Sequence, residues 1–150
     1  MTIQHIIFVI LVFTSFFNCG VQAYIHFNAY PILKHVGRAD FANYLTRYEQ
    51  GLTVPLLLPY GLSLLSALLL IFLRPSGIDA LWIILALVLN GAVAAVTMIM
   101  ATPIYNRIKE AGEASPADMS QLINVNLLRL LLTLLSSVVV IWMLLVLIRG

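Results

Sequence analysis

Apolar residues run along this chain in four long stretches, separated by three short polar interruptions. A helix needs about 20 apolar residues to cross the hydrocarbon of a bilayer. The stretches occupy about residues 3–33, 52–73, 80–105 and 116–149. Because backbone polar groups must be satisfied internally in lipid, spans of this kind are helical. The pattern therefore predicts an all-α integral membrane protein, an antiparallel four-helix transmembrane bundle forming one domain over residues 1–150.

The first run, from Ile3 to Phe17, continues through Asn18-Cys19-Gly20. Val21-Gln22-Ala23 offers small residues for a signal-peptide cleavage point, but the basic leader of such peptides is missing, so the run reads as a retained span. Gly37 is an expected helix stop. Beyond it Phe41, Tyr44, Leu45 and Tyr48 recur at helical spacing. This stripe suits either a short helix lying on the membrane surface or an extension of the second span. Pro55 and Pro59 predict a kink or a late start for that span. In the Arg74-Pro75-Ser76-Gly77 connection, Ser76 followed by Asp79 resembles a capping box and makes Ser76 the expected start of the third helix. Ser115-Pro116-Ala117-Asp118 reads as a helix opening, with a serine cap, proline next and an acid in the first turn. The fourth helix then exceeds a hydrocarbon layer of about 30 Å, placing its first turns outside the lipid.

Composition removes other classes. Hydrophobic residues make up 62% of the chain and charged residues only 9%, against about 25% charged in soluble domains. A formal charge of +2 spread over short loops provides no basic stripe, so nucleic acid is not an expected partner. The single Cys19 cannot form an internal disulfide, and no Cys/His spacing suggests a metal; neither metal nor cofactor is expected. Lys34, Arg38, Arg47, Arg107 and Lys109 fall in the first and third connections, with Arg74 and Arg149 opposite. The basic bias puts both termini on the non-cytoplasmic side.

Antiparallel threading brings most intraspan polar residues to one membrane level. Gln22, His26, Asn28 and Tyr30 come from the first helix, and Tyr60 and Ser63 from the second. Thr97, Thr102, Tyr105 and Asn106 come from the third, and Gln121, Asn124, Asn126 and Arg129 from the fourth. Unpartnered polar groups in lipid are costly, so these side chains are expected to turn inward and form a shallow cavity opening toward the basic loops. The candidate ligand-binding residues are His26, Tyr60, Tyr105, Asn126 and Arg129. Arg129 pairs with an anionic ligand or is held by Asn126, Tyr105 or Asn106; the competing expectation is that it snorkels to headgroup phosphates while the asparagines are solvated. His26 lacks a second histidine or an acid nearby, which favours a core or interfacial role. Asn90 is expected to bond across a helix interface, and the Gly91/Ala95 and Ser63/Ala67 pairs to permit close packing. Trp82 and Trp142 suit an interfacial belt.

The segments Tyr30-Pro31-Ile32-Leu33-Lys34-His35-Val36-Gly37, Phe41-Ala42-Asn43-Tyr44, Leu73-Arg74-Pro75, Thr102-Pro103-Ile104 and Ile123-Asn124-Val125-Asn126-Leu127-Leu128-Arg129 occur in a recognisable order. In this the chain resembles a bacterial four-span integral membrane family of unknown function, distantly similar to the anthrone-oxygenase-like superfamily. The resemblance implies the four-span architecture and a bacterial inner membrane. It departs from the family at Ala29, Leu45, Tyr48, Ser63 and Tyr105, where relatives often carry histidines or, at the Ser63 position, an acid. An anthrone-type, cofactor-independent oxygenase is implied by the resemblance alone, with His26 the only base within the spans. The residues themselves favour binding of a lipid-like or aromatic small molecule near one leaflet. A noncatalytic accessory subunit of a larger membrane complex is the alternative, its long aliphatic faces meeting a membrane-protein partner.

Overall fold

The computed structural model describes residues 2–149. It contains four helices, α1 (Ile3–Leu33), α2 (Arg38–Phe72), α3 (Ala80–Ala111) and α4 (Pro116–Arg149), each long and apolar enough to cross a membrane. No strand occurs among the described residues. Each helix packs against its sequence neighbour and α4 closes back onto α1, so the bundle is an up-down ring with α1 and α3 on one diagonal.

Local chemistry sets the helix ends. Ser115 caps α4: its hydroxyl accepts from the Asp118 backbone N–H at 3.0 Å and donates to the Asp118 carboxylate at 2.6 Å. This reciprocal arrangement satisfies an otherwise orphaned donor of the first turn. Gly112 closes α3 with φ +68°, a left-handed conformation that glycine adopts at little cost. Two expectations shift. The third helix opens at Asp79, whose carboxylate accepts from Leu81 N–H at 2.9 Å, rather than at Ser76. Gly37 is extended and opens α2 rather than ending α1, which already stops at Leu33.

Of the two readings of residues 38–50, the structure bears out the extension of the second span and not the separate surface helix. α2 is one helix of 35 residues that passes through Pro55 and Pro59. Its early stripe turns into the bundle: Phe41 and Leu45 are buried with Tyr30, Ile108 and Leu122 in an apolar cluster, and Tyr44 and Tyr48 pack against that cluster. Burial against three other helices outcompetes the headgroup layer for these side chains.

α1 and α3 share one irregularity. A π-helical turn spans Ile25–Ala29 directly before Tyr30-Pro31, and another spans Thr97–Ala101 directly before Thr102-Pro103. A proline within a helix lacks the N–H and crowds the carbonyl one turn back. The wider turn relieves that crowding, and in α3 the Thr102 hydroxyl donates to the Thr97 carbonyl at 3.0 Å.

Packing places polarity inside and grease outside. Phe13, Leu57, Leu65, Val88, Leu131 and Val138 are exposed around the perimeter. The interior has three layers. An apolar plug of Phe8, Leu11, Leu70, Ile83, Val140 and Met143 fills the termini end. The second apolar cluster, around Phe41 and Ile108, fills the loop end. Buried polar side chains lie between them, including Asn18, Gln22, Ser63, Asn90, Asn126 and Thr133.

Candidate functional site

The deepest part of the polar layer is a set of interhelical ties. Asn90 of α3 donates to Ser136 Oγ of α4 at 2.8 Å, while its side-chain oxygen accepts from Ser63 of α2 at 3.4 Å. The Tyr60 hydroxyl donates to the Asn90 carbonyl. Asn126 donates to the Gln22 carbonyl of α1 at 3.0 Å, and Ser137 to the Ser15 carbonyl at 3.3 Å. These bonds answer the demand that buried polar groups in lipid find partners. Asn90 thus does what its sequence position suggests. Gly91 and Ala95 do not, because both are exposed on the outer face of α3, while Ser63 and Ala67 are fully buried. Trp82 and Trp142 meet at the termini end, with ring centroids 6.0 Å apart.

Next to these ties, toward the loops, a cavity of about 400 Å³ opens between α2 and α3. Ile25 and Tyr30 of α1, Ala101 of α3 and Arg129 of α4 give it a buried wall. Leu52, Leu56 and Leu57 form an apolar side, and Leu57 is 63% exposed on the bundle's outer face. Tyr48, Tyr105, Thr53, Thr97 and Asn106 supply polar lining. The two π-helical turns reach the cavity through Ile25, Thr97 and Ala101, so the widened backbone helps shape it. At the loop end Glu49 of α2, itself a lining residue, accepts from Lys109 of α3 at 2.6 Å and ties the two helices together.

Arg129 dominates the electrostatics. It is only 5% exposed, and among the described residues it forms no ion pair and its Nε has no hydrogen-bond partner. The ion pairs among the described residues are Arg38–Glu113, Arg107–Asp118 and Lys109–Glu49, all near the loops. The Arg129 side chain is thus packed within the bundle rather than extended from it. Asp118, Gln121 and Asn124 lie on the outer or wet side of α4, whereas Asn126 and Arg129 turn into the bundle, with Asn126 fully buried. A buried guanidinium without a carboxylate is costly, and such a group in a span is a functional-site candidate by default.

The five candidates separate. Tyr105 and Arg129 meet at the cavity. Tyr60 is committed to the α2–α3 contact and Asn126 to the α1–α4 contact, and neither lines the cavity. His26 is half-buried, stacked edge-on against Phe27 at 4.9 Å, and also outside the lining. Its Nδ1 is sealed without a partner, as are polar atoms of Ser15, Asn18 and Gln22 on α1 and of Asn126 on α4. Tyr30 was legible as part of the polar level but not as a cavity wall. Tyr48 and Glu49 were hidden in what reads as a connection; the helical spacing of Phe41, Tyr44 and Tyr48 is the signal that points to them. Comparison with protein-family models, curated protein sequences and solved structures gives no match to this chain.

Proposed function

We propose that this membrane bundle binds a lipid-like or aromatic amphipathic small molecule, its polar head beside Arg129 and its apolar body along the α2–α3 wall. The single observation that carries this reading is the buried Arg129 guanidinium, unmatched by any carboxylate among the described residues, at the wall of an apolar-sided cavity. A volume of about 400 Å³ lies within the range of small-molecule pockets, roughly 300–1,000 Å³. Leu57 on the outer face supports access from the bilayer, where an amphipath would be concentrated. In this reading the loop end faces the cytoplasm and both termini face away from it, supported by the basic residues of the first and third connections.

Native mass spectrometry of the protein extracted in mild detergent tests the reading. The wild type is expected to retain a copurifying small molecule, and Arg129→Ala to lose at least about tenfold in occupancy, the cost of removing a buried charge contact. Equal retention of the same molecule by Arg129→Ala would remove its support.

A further inference from the structure

The charge and lining of the cavity narrow the class of molecule it accepts. Glu49 is the one acidic lining residue, and it is already engaged by Lys109 at 2.6 Å. Arg129 therefore leaves the site with one uncompensated positive charge in low-dielectric surroundings. We propose that the occupant is a single-chain carboxylate amphiphile, with its head on Arg129 and its tail along Leu52, Leu56 and Leu57. The proposal rests on the reading of the cavity as an amphipath site and adds the head chemistry and the number of tails.

Three features select the carboxylate. A monoanion balances Arg129, whereas a phosphate monoester, at about −1.5 to −2, brings surplus negative charge next to Glu49. An uncharged alcohol or ester leaves the guanidinium uncompensated, and an ammonium adds a second cation. A planar carboxylate also matches the guanidinium fork in two parallel hydrogen bonds. The Asn106 amide on the same lining is a further donor for the remaining carboxylate lone pairs. Leu52, Leu56 and Leu57 form one apolar strip along α2, open at Leu57, which gives a single track for a tail.

The test is native mass spectrometry of the full chain in mild detergent with equimolar dodecanoic acid, methyl dodecanoate, dodecyl phosphate, dodecyltrimethylammonium and a two-chain phosphatidylglycerol. The acid is expected to exceed the methyl ester and the ammonium at least tenfold, and the phosphate and the two-chain lipid severalfold. Arg129→Lys keeps the charge but removes the fork, and is expected to cut the acid preference roughly tenfold. Ala101→Phe, which fills the wall, is expected to abolish binding of every member. Equal or tighter binding of dodecyl phosphate or the phosphodiester lipid overturns the carboxylate assignment while leaving the cavity an amphipath site. An acid preference undiminished in Arg129→Lys overturns the head placement. Failure of the wild type to bind any member overturns the carboxylate assignment, and the amphipath reading falls with it if the wild type also retains no copurifying molecule.

Discussion

At the scale of single residues, the same polar side chains divide between holding the bundle together and leaving capacity for a ligand. Asn90 belongs to the first group, linking α2, α3 and α4 through Ser63, Tyr60 and Ser136. In a double-mutant cycle of Asn90→Leu with Ser136→Ala, followed by reversible unfolding in detergent, the coupling is expected near 0.6 kcal/mol and below about 1.7 kcal/mol, as for other interhelical bonds in membranes. A coupling of zero would mean that the amide finds an equivalent partner elsewhere. Arg129 belongs to the second group. Its inward direction was only half legible in the sequence, since Asp118, Gln121, Asn124, Asn126 and Arg129 all lie in one polar stretch. Which of them turn inward depends on where α1 lies, and that is tertiary information. Ser15 and Asn18 were harder still, because they interrupt an aromatic and aliphatic run that reads as lipid-facing. Their spacing with Gln22 and His26, at three and four residues, does put them on one helical face.

Among the elements, α2 shows why a hydrophobic stripe can be read two ways. Phe41, Tyr44, Leu45 and Tyr48 have the spacing of a helix with one greasy face, and spacing alone does not say whether that face meets lipid headgroups or protein. The structure gives the second answer, with Phe41 2% exposed. Phe41→Ala is therefore expected to cost about 3–5 kcal/mol, the range for emptying an aromatic core position. Asn43→Ala, on the exposed side of the same helix, is expected to stay within about 0.5 kcal/mol. Unfolding of the two variants in detergent, followed by circular dichroism, separates them; equal stability would restore the surface-helix reading. Helix existence and the α4 opening were legible because they rest on long periodic runs and a local serine-proline-acid signal. The Asp79 start was less so, since Ser76 and Asp79 both suit a cap and the path of the Arg74-Pro75-Ser76-Gly77 turn decides between them. The π-helical turns were not legible either, although the prolines that follow them were.

For the molecule as a whole, four helices linked by short turns fix the relative directions of all the segments, while the sign of the topology rests on loop charge. In a Cys19→Ser background, Ser76→Cys is expected to react with an impermeant maleimide on intact cells, and Ala111→Cys only in inverted vesicles. The reverse pattern would invert the orientation and place the cavity's loop end outside. The layered interior carries a further consequence. Behind the polar layer, Phe8, Leu11, Leu70, Ile83, Val140 and Met143 pack without polar relief at the termini end. On the proposed reading, a molecule lodged at Arg129 enters and leaves by the open α2–α3 side, since the apolar plug closes the other end.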